Sequence, residues 1–230
     1  MIYNGVDLQG FYPDEPYPRL LHQWDLEDRF VCSYVGTIGM AHGLEVVLEA
    51  ARVLKNEGRH DVAFWLVGDG ARRRALEARC EREELSAYVR FAGRQPKQAI
   101  PAILASSHAC LVHLKGCELF GTVIPSKIFE TMAVGKPIIM GVNGEARRIV
   151  MEAHAGIEIE PDSGQELAHA VTTLADNPQL TARLGHFARQ YVADHFDRDE
   201  LAGEYLQLLQ SLAGVETVAE HEPLIHADER

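Results

Sequence analysis

The chain has 230 residues, with 22 Lys and Arg against 34 Asp and Glu, for a formal net charge of −12. That length suits one large domain or two small ones, and a composition 47% hydrophobic and 24% charged excludes bulk disorder. The acid surplus excludes a sequence-independent grip on nucleic acid, which rests on clustered Lys and Arg. No apolar run approaches the roughly 20 residues of a membrane-spanning helix, and no signal-peptide pattern opens the chain. Cys32, Cys80, Cys110 and Cys117 are scattered, without a metal-ligand spacing. They read as reduced thiols filling a core, and the expected location is cytoplasmic.

Residues 1–18 are dense in turn formers (Asn4-Gly5, Gly10, Pro13, Pro16, Pro18) and read as a connection arriving from elsewhere. Phe30-Val-Cys-Ser-Tyr-Val35 is a β-rich run stopped by Gly36. Past a glycine-punctuated loop, residues 44–54 have the apolar spacing of an amphipathic helix. Val62-Ala-Phe-Trp-Leu-Val67 is an apolar strand closed by Gly68-Asp69-Gly70, with a charged helix over 72–84. Strand 89–92, helix 97–106, strand 109–114, helix 125–134 and strand 137–141 continue the alternation. Residues 165–212 are almost all helical, broken at Asn177-Pro178 and Asp197, and beyond Gly214 the acidic stretch reads as a disordered tail.

Strands and helices alternating at this spacing predict an α/β fold: a Rossmann-like parallel sheet with helices on both faces, followed by a helical C-terminal segment. The expected division is a linker over 1–20, a ligand-binding domain over 21–198, a helix over 199–214 and the tail over 215–230. Such sheets bind ligands outside the carboxyl ends of their strands. Chemistry is therefore sought in loops 36–43, 68–71, 93–97, 115–126 and 141–146.

Gly36-Thr-Ile-Gly-Met-Ala-His-Gly43 follows the first strand and precedes a helix. Its glycines let backbone amides approach a phosphate, and His42 is a possible donor; it reads equally as a βα loop shaped for turn geometry. It is not the GxGxxG of a dinucleotide site. Gly93-Arg94-Gln95 is weaker, since Arg94 has many surface acids to pair with. Pro125-Ser-Lys-Ile-Phe-Glu130 carries more. Pro125 is expected at the first helical position, with Ser126 and Lys127 offering a hydroxyl and a cation to a diphosphate. Glu130 offers a carboxylate to a cis-diol such as ribose. The competing reading is a surface helix with an i,i+3 ion pair between Lys127 and Glu130. Gly144-Glu145 starts another helix, where an acid either meets a sugar hydroxyl or compensates the helix dipole.

In order along the chain, Tyr34-Val-Gly-Thr-Ile-Gly39, Val67-Gly-Asp-Gly70, Phe91-Ala-Gly93 and Pro125-Ser-Lys-Ile-Phe-Glu130 with Met132-Ala-Val-Gly-Lys-Pro-Ile-Ile139 resemble the donor-binding half of retaining GT-B glycosyltransferases. The branch they look like builds bacterial surface polysaccharide, N-acetylfucosaminyl and related amino-sugar transferases among it. The resemblance implies roles. Glu130 would hold the donor's ribose; Gly36, Thr37 and Gly39 would line the diphosphate opposite Ser126 and Lys127. Gly93, Arg94 and Gln95 would flank the base, and Glu145 would sit near the sugar. Lys127 and Glu130 are the expected catalytic pair, without metal or cofactor, the nucleotide-diphosphate sugar (a UDP-sugar) being the substrate. Two departures stand out: Thr122 occupies the place of a second family Glu, and no Arg or Lys lies between Gly36 and Gly43. The resemblance also implies a first, acceptor-binding domain as partner and a full enzyme associated with the membrane's inner face. The isolated chain is then expected to self-associate and to lack turnover. A nucleotide-binding module without catalysis and half of a nucleotide-sugar epimerase remain as alternatives.

Overall fold

The structure is a computed structural model that describes residues 4–213, the Glu118 side chain excepted. In chain order its first elements are α1 (Pro18–Gln23), β1 (Phe30–Val35), α2 (Glu45–Asn56), β2 (Val62–Val67), α3 (Arg73–Arg82), β3 (Val89–Gly93) and α4 (Ile100–Ala105). Then come β4 (Ala109–His113), α5 (Lys127–Ala133), β5 (Ile138–Gly141), α6 (Glu145–Glu152), β6 (Gly156–Glu158), α7 (Gly164–Ala175), α8 (Pro178–His195) and α9 (Arg198–Ala213). The strands form one parallel sheet in the order β3-β2-β1-β4-β5-β6.

Successive strand residues point to opposite faces, and both faces are covered. On β2, Val62, Phe64 and Leu66 join one apolar cluster with α2 and α7 residues such as Leu48 and Leu167. The alternate residues Ala63, Trp65 and Val67 pack with Leu26, near Leu21 and Trp24. On β4 and β5, Cys110, Val112, Ile138 and Met140 face Ile128 and Met132 of α5 and Ala188 and Val192 of α8. Cys32, Cys80 and Cys110 are free and buried in these layers.

Several boundaries differ from the sequence reading. The helix expected over 97–106 is a 3-10 turn, Lys97–Ala99, followed by α4, because Pro101 has no N–H to continue a regular ladder. Pro125 stands outside α5: its carbonyl accepts the Ile128 N–H (3.1 Å), and Ser126 is the N-cap. The expected breaks at 177–178 and 197 are present, with Asn177 Oδ1 accepting the Leu180 N–H (3.0 Å) at the head of α8. The short elements β6 and α1 are additions. Residues 4–17, expected to be only a connection, dock onto the domain: Val6 and Phe11 are buried, and Val6 forms a bridge to Asp197. The acidic stretch over 215–230 lies outside the described residues.

Candidate functional site

The pairing of β1 with β2 runs on into the loops beyond them. The Gly36 N–H donates to the Val67 carbonyl and the Ile38 N–H to the Asp69 carbonyl, both at 2.9 Å. Gly68 has φ +146°, and a Cβ there would stand 1.8 Å from the Gly36 carbonyl oxygen, so only glycine fits. Gly36, at φ +145°, faces α5: a Cβ on it would lie 2.6 Å from the Lys127 Nζ. The close approach of these two loops thus sets the first one against the first turn of α5.

Lys127 lies with its Nζ 3.8 Å from the ring centroid of Tyr34, over its face. Burial lowers its pKa to about 8, while Glu130 and the Cys110 thiol act in the opposite sense. Glu130, one turn further, has its carboxyl pushed up by burial and drawn back down by Lys97, Lys127 and Arg198. The Ser126 side chain makes no capping hydrogen bond, and its hydroxyl has no hydrogen bond to a described residue. Because α5 is only seven residues long, these side chains, more than a helix dipole, supply the local charge.

His42 meets the Tyr34 ring edge-on, centroids 6.1 Å apart, and its Nδ1 is buried without a hydrogen-bond partner among the described residues. Burial, and secondarily the charge of Lys127, depress its pKa. The backbone carrying it is clamped from below by the buried His113: Nδ1–H donates to the His42 carbonyl (2.7 Å) and Nε2 accepts the Asp162 N–H (2.9 Å). The Asp162 carboxylate in turn accepts the Gly116 N–H (2.9 Å), tying three loops together. Gln95 Nε2 donates to the Ala92 carbonyl (2.7 Å), shaping the turn after β3, and Arg94 is exposed and makes no ion pair with a described residue.

The result is a cleft of about 600 Å³ that Gly36, Thr37, His42, Arg94, Gln95, Ser126, Lys127 and Glu130 line together. Gly39, Gly93 and Glu145 are not among its lining residues. Gly39 packs against the His42 ring, Gly93 receives the Gly68 N–H on its carbonyl (2.9 Å), and Glu145 is ion-paired to Arg148 on α6. Asp69 and Ile100 line the cleft as well; the Asp69 Oδ1 accepts the adjacent Gly70 N–H at 2.8 Å, and its Oδ2 lies 3.9 Å from the Arg73 guanidinium. Tyr34, which lies under Lys127 and against His42, is a residue the sequence reading did not single out for the site. Its signal was an aromatic side chain at the next-to-last position of a strand, two residues before a glycine.

Among the described residues no group of three or more His, Cys, Asp or Glu could hold a metal ion, and no helix is long and apolar enough to cross a membrane. What the cleft offers is a cation over an aromatic face, a free hydroxyl, an imidazole nitrogen seeking a partner, and a carboxylate about one turn away. That set suits an anion carried next to a diol.

Comparison with known proteins points to one family. The chain is 30% identical over 195 residues to alpha-D-kanosaminyltransferase of Streptomyces kanamyceticus, matching 83% of this chain and 49% of that protein. It is 32% identical over 172 residues to the probable glycosyltransferase WbjE of Pseudomonas aeruginosa, matching 71% of this chain and 40% of that protein. The chain thus spans about half the length of the curated relatives it matches. HepE of Anabaena, crystallised with UDP and glucose, superposes with a TM-score of 0.77 at 26% identity, over 91% of this chain and 56% of HepE. The C-terminal domain of the group 1 glycosyl transferase LpcC of Francisella tularensis shares the fold at a TM-score of 0.67 and 23% identity, over 84% of this chain and 99% of that one. A family model described as glycosyl transferases group 1 matches residues 20–191, and the chain belongs to that family, as one Rossmann-like half of a GT-B fold.

Proposed function

We propose that the cleft binds a nucleoside-diphosphate sugar, a UDP-sugar in the first instance, and that the chain is the donor-binding half of a hexosyltransferase acting on a polysaccharide or lipid-linked acceptor. The observation that carries this reading is the meeting of Lys127 and Glu130 with the glycine loop in one cleft. HepE, at 26% identity, is a structural neighbour crystallised with UDP-glucose. In this reading Glu130 accepts hydrogen bonds from the ribose hydroxyls, while Lys127, Ser126 and His42 meet the diphosphate. Arg94 and Gln95 border the base. The catalytic work of this half is stabilisation of the departing diphosphate: charge builds on the leaving oxygen as the sugar–oxygen bond breaks, and the part-buried Lys127 ammonium lines the cleft, where its field is less screened than in open water. The acceptor comes from a partner domain across the cleft, and transfer needs both. Free buried thiols suit a reducing compartment, so the reading includes the cytoplasm, with the whole enzyme at the inner face of a membrane.

The test is a thermal-shift screen of nucleosides, nucleoside diphosphates and nucleotide sugars, followed by turnover assays with and without an added first domain from a relative. Stabilisation by diphosphates and not by nucleosides alone is expected, with turnover only when the first domain is present. Absence of any nucleotide-dependent shift would overturn the reading, and turnover by the chain alone would overturn the need for a partner.

A further inference from the structure

Tyr34 is buried, at 1% exposure, although it carries a hydroxyl at the carboxyl end of β1. That hydroxyl donates to the Thr37 carbonyl at 2.7 Å and so braces the glycine loop. Its ring face lies under the Lys127 Nζ at 3.8 Å, and its edge meets His42. One side chain therefore touches three parts of the cleft, the backbone and the imidazole of the glycine loop and the ammonium of the distant α5. An ammonium this deep loses much of its hydration, and an aromatic face replaces part of that loss by attraction to the ring quadrupole. Lys127 has no ion pair with a described residue, so the ring is the contact that fixes where its charge sits. A long, flexible lysine stem would otherwise sample many positions, at a cost in rotamer entropy on binding.

We propose that Tyr34 is a positioning residue for diphosphate recognition: its ring holds the Lys127 ammonium and its hydroxyl holds the Thr37 backbone, so that both face the same phosphates. It does not touch the nucleotide itself. The proposal rests on the donor-binding reading and adds to it a residue that acts through others.

The experiment compares wild type, Tyr34→Phe and Tyr34→Leu by calorimetry against UDP and uridine, taking the ratio of the two affinities. Tyr34→Leu removes the platform, and the ratio is expected to fall about tenfold, the scale of a desolvated cation–π contact. Affinity for uridine should stay unchanged. Tyr34→Phe keeps the ring and loses only the bond to Thr37, so the ratio should drop by a factor of about three. A ring that merely fills the core would weaken both ligands together, which overturns the proposal, as does a wild-type ratio in Tyr34→Leu.

A second measurement on the wild-type protein covers the case in which the Leu variant fails to fold. The chain has five lysines, so carbon-13 labelling resolves the Lys127 Cε signal, identified by its loss in Lys127→Met. An upfield ring-current shift without ligand is expected. UDP binding by wild type with an unshifted Lys127 signal overturns the role of Tyr34 alone, and no UDP binding at all overturns the donor reading with it.

Discussion

Burial of Lys127 makes nucleotide binding depend on pH in a range where the ligand's phosphates do not titrate. In the free protein its ammonium ionises with a pKa of about 8, whereas a bound diphosphate favours the charged form and raises that value. Above pH 8 binding must therefore take up a proton, and log K falls by up to one unit per pH unit. Between pH 7 and pH 9 the affinity for UDP is expected to drop about tenfold, or about 1.4 kcal/mol. The neighbours do not compete for the effect. Burial drives the Tyr34 hydroxyl and the Cys110 thiol upward, and the His42 imidazole is depressed and already neutral in this range. Glu130, though raised, is a carboxyl. The terminal phosphate is fully ionised above about pH 7, its second pKa being near 6. Calorimetry at pH 8 in two buffers of different ionisation enthalpy measures proton uptake directly, with uridine, whose base is still almost wholly neutral there, as the ligand that should show almost none. Lys127→Arg, charged throughout, should flatten the profile. Equal UDP affinity at pH 7 and pH 9 in wild type, or an equal decline for uridine, would refute the reasoning.

Other outcomes follow from the same geometry. Glu130→Gln should cost about 2–4 kcal/mol of UDP affinity but almost nothing for 2′,3′-dideoxy-UDP; calorimetry showing equal losses for both sinks the ribose assignment. His108 and His113 are depressed by burial, so the unfolded chain binds protons first as pH falls. Stability should hold above pH 6.5 and decline below it, by about 1–2 kcal/mol between pH 7.5 and 5.5 in urea melts; an unchanged midpoint contradicts this. A Cβ on Gly185 would stand 2.2 Å from the Gly135 carbonyl oxygen, whereas one on Gly203 meets nothing within 4 Å. Gly185→Ala should thus cost about 1–3 kcal/mol and several degrees of melting temperature, and Gly203→Ala none; a calorimetric scan that ranks them the other way rejects the packing argument.

The sheet was legible because its strands are short apolar runs ended by glycine, and its helices carry clear apolar faces. Periodicity could not reveal β6: Gly156-Ile-Glu158 is three residues long and is a strand only because Ile138 of β5 pairs with it. The helix boundaries at Pro101 and Pro125 moved for local reasons, a missing N–H in one case and a tight first turn in the other. In the site, eight of the eleven expected residues line one cleft. These are residues whose loops the topology must bring to the same sheet end. Glu145 has an acid's two options at a helix start and takes the local one, Arg148. Tyr34 was hidden for a different reason. A strand aromatic is usually core, and nothing in the sequence shows that an ammonium from residue 127 lies on its face.

The contacts of Val6 give the order in which the fold is completed. Its N–H donates to the Phe196 carbonyl (2.9 Å), and its carbonyl accepts the Arg198 N–H (3.1 Å). Nearby, Arg189 donates to the carbonyls of Phe11 (3.2 Å) and Ala133 (3.0 Å). The chain therefore enters and leaves the sheet domain at one place, and the earliest described residues wait for the latest helices before they are secured. During synthesis, β1 and β2 can pair long before the stretch around Val6 has a partner, and Phe11 gains its cover only once α8 emerges. A nascent chain halted before residue 185 would hold its sheet while the segment around Val6 remained accessible to protease. Emergence of α8 and the start of α9 would then secure the segment around Val6 and Phe11 in one step.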